Sequence, residues 1–103
     1  MNVKIPRPKG EIELLQGKGA YVGYRTIDLT DIRQIEFIGI GADTLQICID
    51  SPQGRVIGQT QPGKDGSEAV QKINIEALNE AHDLYFVVKN RSYSLRDYIK
   101  FNR

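Results

Sequence analysis

The sequence holds few groups able to do chemistry: one histidine, one cysteine, five tyrosines, no tryptophan, and thirteen Asp and Glu. A serine or cysteine nucleophile needs a base beside it, and His82 is the sole histidine. It opens the run His82-Asp83-Leu84-Tyr85-Phe86 and reads as a structural hydrogen-bonding residue. Cys48 alternates with Leu45, Ile47 and Ile49, so it falls on the other face of its strand as a small filler. Nothing near it would lower the thiol pKa. A lone cysteine excludes an internal disulfide, and one Cys with one His cannot build a zinc cluster. Glycoside hydrolysis needs only two carboxylates, but a domain this small has little room for a cleft beside its core. Catalysis is not expected.

Two groups remain. In Glu11-Ile12-Glu13 the carboxylates are two apart, so in a strand they share one face. Like charges that close need solvent or a cation. A hard cation such as calcium, which takes six to eight oxygens, would suit them. The plainer alternative is a solvated pair on an edge strand. The tyrosines offer rigid apolar rings with polar tips, suited to stacking on a sugar face. Tyr85 sits within an apolar run and reads as packing. Tyr21 and Tyr24 follow glycines near a turn, and Tyr93 lies in the polar stretch Lys89 to Ser94. These three are the exposed candidates.

The elements that position them are short strands. At 103 residues with 40% apolar and 26% charged residues, the chain suits one globular domain. Fourteen Lys and Arg leave a net charge of +1, which argues against nucleic-acid or anionic-membrane binding by bulk charge. No apolar run approaches the roughly 18 to 20 residues that span a bilayer. Residues 1–10 carry two prolines and lack the apolar stretch of a signal peptide, so they read as an extension or linker. Either the protein is cytoplasmic, or this is a module cut from a longer chain.

Strands are expected at Glu11 to Leu15, Ala20 to Leu29, Arg33 to Ile40, Thr44 to Asp50, Arg55 to Gln59, Lys72 to Ile75, His82 to Val88 and Asp97 to Phe101. Ser51-Pro52-Gln53-Gly54 is the clearest turn: Pro52 presets its second position, and Gly54 would accept a positive φ at the fourth. Gln61 to Ser67 reads as an exposed loop, and Asn74 to Ala81 as a turn or a single helical turn. Short strands at regular spacing predict an all-β, antiparallel β-sandwich.

Three stretches in combination resemble the family 6 carbohydrate-binding modules appended to secreted glycoside hydrolases and sugar dehydrogenases. They are Gly19 to Thr30 (GAYVGYRTIDLT), Leu45 to Gly58 (LQICIDSPQGRVIG) and His82 to Val88 (HDLYFVV). The resemblance covers residues 11–101 and sets a module at 11–103. It implies a jelly-roll (galactose-binding-like) sandwich that binds polysaccharide without catalysis and targets an attached enzyme to it. Xylan or β-glucan would be the partner, with a catalytic domain in a secreted or periplasmic parent protein, and no nucleic acid or membrane. It also implies a structural calcium, its ligands mapping to Glu11, Glu13 and Asp97.

The implied sugar cleft stacks its ligand between a tyrosine and a tryptophan, with an asparagine before the last strand. Tyr24 can take the tyrosine role, with Tyr21 as the alternative and Tyr93 nearby. Gly66 to Val70, where the tryptophan should fall, has no aromatic residue. The asparagine position aligns with Leu95, unless a loop shift brings in Asn90. The ligand is then held elsewhere on the sandwich, or the module has become a structural or protein-interaction sandwich without sugar binding.

Overall fold

The computed structural model describes residues 3–5, 12–60 and 68–103, with backbone alone at 3–5, 12 and 97. Among these are nine β-strands and no helix: β1 Val3–Ile5, β2 Ile12–Gln16, β3 Tyr21–Asp28, β4 Gln34–Ile40, β5 Leu45–Ile49, β6 Arg55–Gln59, β7 Glu68–Asn74, β8 Ala81–Val88 and β9 Ser92–Asn102. They form two antiparallel sheets. In the first, the order is β9–β4–β7, with β1 and β2 sharing the free edge of β9. The second runs β3–β8–β5–β6. The expected sandwich is present, and within the ten-residue stretch expected as an extension or linker Val3–Ile5 forms β1 on β9.

Alternation explains which faces meet. Ile35 and Phe37 of β4, with Leu95, Ile99 and Phe101 of β9, point inward from the first sheet. Leu45, Ile47 and Ile49 of β5, with Leu84, Phe86 and Val88 of β8, point inward from the second. Phe37 and Phe86 meet across the gap edge to face, centroids 5.7 Å apart at 90°. Such a pair contributes about 0.5–1.5 kcal/mol beyond its area burial.

Several expectations need correction. β7 begins four residues earlier than the expected Lys72, because its whole length pairs with β4 from Ile40↔Glu68 to Gln34↔Asn74. β9 begins at Ser92, so most of the expected Lys89 to Ser94 loop is a short connection followed by strand; backbone pairing with β2 and β4 on both flanks overrides its polar composition. Asn74 to Ala81 contains no helical turn. Ile75 is buried with its N–H on the Arg33 carbonyl, and Leu78 packs against the core, so tertiary contacts anchor the stretch in place of helical bonds. The turn at 51–54 closes through Gly54 N–H to Ser51 O at 2.9 Å, but Gly54 does not take a positive φ. Glycine is needed there because a Cβ would sit 2.1 Å from the Ile49 carbonyl oxygen. The loop expected at Gln61 to Ser67 lies outside the described residues.

Strand direction sorts the connections onto two ends. At one end lie the β2–β3, β4–β5 and β8–β9 connections, tied by Gly17 N–H to Arg91 O and Lys89 N–H to Thr44 O. At the other lie the β3–β4, β5–β6 and β7–β8 connections.

Candidate functional site

The three tyrosines do not converge. Tyr93 is 2% exposed. Its ring fills the space over two core-facing glycines: a Cβ at Gly39 would lie 2.1 Å from its hydroxyl oxygen, and one at Gly41 would lie 3.2 Å from its ring. The hydroxyl is hydrogen-bonded to the Thr60 side chain, whose Oγ1 accepts the Leu45 N–H at 2.9 Å. Burial pushes the phenol pKa up, and the Thr60 bond opposes that shift. Tyr93 is therefore a pin between the sheets and not a loop residue open to a ligand. Tyr24 points inward and packs its ring edge to face on Phe86, centroids 6.0 Å apart.

Tyr21 alone offers an open ring. It lies on the outer face of the second sheet and is 51% exposed. Tyr85, on the neighbouring strand, braces it edge on, with centroids 5.7 Å apart at 72°. Gly23 is opposite Tyr85, and a Cβ there would meet the ring at 2.7 Å, so glycine lets Tyr85 lie across the β3 backbone. Cys48 pairs with Tyr85 from β5 and is buried beneath this face, where desolvation raises its thiol pKa. Cys48 lies on this face as its alternation predicted, and Tyr85 takes the inter-strand packing expected of it, on the outer side of the sheet. The alternation Leu84, Phe86, Val88 inward already puts Tyr85 outward with Tyr21.

Asn90 belongs to a different feature. An open groove of about 610 Å³ at the loop end is lined by Gly41, Ala42, Asp43, Asn90, Arg91 and Ser92. Asp43 organises it. One carboxylate oxygen accepts the Thr44 N–H (2.7 Å) and the Asn90 amide (2.9 Å); the other accepts the N–H groups of Arg91 (2.5 Å) and Ser92 (3.1 Å). Burial would raise the Asp43 pKa, but these donors more than offset it and hold the carboxyl below its ordinary range. Asp43 and Arg91 were missed from sequence. Asp43 before a strand carries a weak turn signal, while its partners lie 47 to 49 residues away.

At the opposite end His82 lies between two carboxylates. Nδ1 is 2.9 Å from Asp50 Oδ1 and Nε2 is 3.0 Å from Glu80 Oε1. Its pKa is raised, first by the bond to Asp50 and then by Glu80, against the opposing effect of burial. The next residue, Asp83, accepts the Thr26 N–H on its side chain (2.8 Å) and the Asp50 N–H on its carbonyl (2.9 Å). Thr26 and Asp50 both have positive φ, so this His-Asp pair holds two strained backbone positions. The structural role expected for His82 is what the geometry gives it.

The calcium ligands are mostly beyond reach. Glu11 and the Asp97 side chain lie outside the described residues. Glu13 is half-buried and shares the inward face of Leu15, opposite the buried Leu95. Among the described residues no three His, Cys, Asp or Glu gather as a metal site.

No protein-family model matches the chain, and no curated protein matches it in sequence. Solved structures do. A glycoside hydrolase family 43 arabinoxylan arabinofuranohydrolase from Bacillus subtilis, in complex with cellotetraose, matches 91% of this chain with a TM-score of 0.77 at 14% identity, and this chain spans only 21% of that protein. A family 6 carbohydrate-binding module from Clostridium cellulolyticum, in complex with xylose, matches at TM-score 0.74 and 18% identity, over 98% of this chain and 97% of that one. A family 36 module in complex with calcium and xylotriose matches at TM-score 0.68 and 17% identity, over 97% and 99%. At these identities the shared property is the fold: an antiparallel β-sandwich of the kind seen in carbohydrate-binding modules, as the sequence resemblance implied.

Proposed function

We propose that this chain is a non-catalytic polysaccharide-binding module, with Tyr21 as its stacking residue. The observation that carries the proposal is the half-exposed Tyr21 ring, held in a fixed orientation by Tyr85. A preoriented ring loses little entropy when a sugar ring settles on it. The likeness to modules bound to xylose and xylotriose supports the ligand class, and xylan or β-glucan is the first polymer to try. The proposal includes an attached catalytic domain in a secreted or periplasmic parent protein. It also includes a structural calcium at Glu13, with Glu11 and Asp97. The likeness to a family 36 module in complex with calcium supports this part, and Asp97 follows Arg96, the register partner of Ile12.

Affinity gel electrophoresis tests the function. Arabinoxylan or β-1,3-glucan in the gel should retard the protein. Tyr21→Ala should weaken that retardation by about tenfold, the scale of one aromatic contact. No retardation by any polysaccharide, or a Tyr21→Ala profile identical to the parent, would remove the reading. For calcium, the melting temperature should fall on chelation and recover with added Ca²⁺; a chelator-insensitive melt removes that part alone.

A further inference from the structure

The net charge of +1 conceals a segregation of charge between the two ends of the sandwich. In the described connections at the groove end, the charged residues are Lys18, Asp43, Lys89 and Arg91. In the connections at the other end, residues 29–33, 50–54 and 75–80, they are Asp31, Asp50, Glu76 and Glu80 against Arg33. One end is therefore cationic and the other anionic.

The single acid in the described connections at the cationic end is committed elsewhere, and Glu68, which opens β7 there, pairs with Arg96 at 2.6 Å. Asp43 accepts four N–H bonds from its own connection and from 90–92, which leaves its oxygens little capacity for a guanidinium. Among the described residues, no carboxylate pairs with the side chain of Lys18, Lys89 or Arg91. The arrangement also brings these cations together. Gly17 N–H bonds the Arg91 carbonyl and Gly19 N–H bonds the Val88 carbonyl, so Lys18 sits in a turn clamped to the chain that carries Lys89 and Arg91. Arg91 itself lines the groove, beside Asn90 and Ser92.

We propose that the loop-end groove reads an acidic saccharide, one bearing uronate or sulfate-ester groups, with Arg91 as the principal contact and Lys18 and Lys89 as supporting cations. This rests on the polysaccharide-binding reading and narrows its ligand class. A guanidinium matches a carboxylate or sulfate with two parallel N–H donors. The groove and the Tyr21 ring can act on one polymer, because Gly17, bonded to the groove residue Arg91, is four positions before Tyr21, which limits their backbone span to about 14 Å.

The test compares polymers that share a backbone and differ in charge. Polygalacturonate is set against its methyl ester, and a sulfated galactan against its desulfated form, by affinity electrophoresis or calorimetry. The acidic member of at least one pair should bind about tenfold more tightly, with the difference shrinking as salt rises from about 50 to about 300 mM. The pair that discriminates identifies the anion. Arg91→Ala should erase the difference and Arg91→Lys should keep part of it. Both variants retain the backbone N–H that Asp43 accepts, and an unchanged melting temperature would verify the fold. Equal binding within both pairs, or discrimination unaffected by Arg91→Ala, overturns this inference while leaving polysaccharide binding intact. Failure to bind any polymer removes both.

Discussion

Raising the pH should loosen the anionic end of the sandwich through His82 alone. Protonated imidazole donates to Asp50 and Glu80 at once, whereas the neutral ring has a single N–H and turns a lone pair toward one carboxylate. The folded state thus holds the proton more tightly than the unfolded chain, whose histidine pKa is about 6.5. Its contribution is fully present below that value and is lost as pH rises through the raised folded pKa. A buried charge-assisted hydrogen bond contributes roughly 1.5–3 kcal/mol. The His82 ring is only 12% exposed, but Asp50 and Glu80 are 66% and 68% exposed, so solvent screens them and about 1–2 kcal/mol is the reasonable expectation. For a domain of this size each kcal/mol moves the melting temperature by roughly 4–8 °C. Calorimetric melts at pH steps from about 5.5 to about 8.5 would read the loss directly, because no other histidine titrates in that window. His82→Gln should be less stable at the acidic end and nearly flat across the range. A parent melting temperature that stays level or rises with pH, or a variant with the parent slope, would refute the reasoning.

Two further outcomes test the packing. Gly39→Ala should destabilise by about 2–3 kcal/mol in chemical denaturation, since the added methyl meets a Tyr93 ring with no room to move; a change below 0.5 kcal/mol, the scale of a neutral surface substitution, would contradict the account. Asp43→Ala should leave the Arg91 and Ser92 N–H groups without their partner and accelerate their hydrogen exchange, at a cost of about 1–3 kcal/mol. For the parent, the lowered Asp43 pKa means its contribution is present above the ordinary aspartate range and is lost as pH falls through the folded pKa, the reverse of His82.

What the sequence revealed followed the range of the interactions concerned. Leu45, Ile47 and Ile49 are set by a two-residue period, so β5 and its hidden Cys48 were legible. The turn at 51–54 was legible for the same reason, though the need for Gly54 arises from a backbone contact five residues back. β7 and the start of β9 were obscured, because Glu68–Asn74 and Ser92–Leu95 become strands through neighbours distant in the chain. Tyr93 shows the limit most clearly. Its surroundings in sequence are polar, yet its ring is received by Gly39 and Gly41, some fifty residues earlier, and its hydroxyl by Thr60. No local pattern carries that information. The same separation hid Asp43, whose four bonds assemble the groove only once β4, β5, β8 and β9 have met.

The pairing of β1 with the far half of β9 also has an engineering consequence. Val3 is the ladder partner of Phe101, so the chain enters β1 and leaves β9 at neighbouring points, about one strand spacing apart. Both points lie at the end away from the groove, because β9 starts at the groove and runs to the opposite end. The domain can therefore be spliced as a cassette into an exposed turn of a host protein, where closely spaced termini are tolerated. It would stand with its cationic end outward, and a bead coupled through either terminus would leave the same end free.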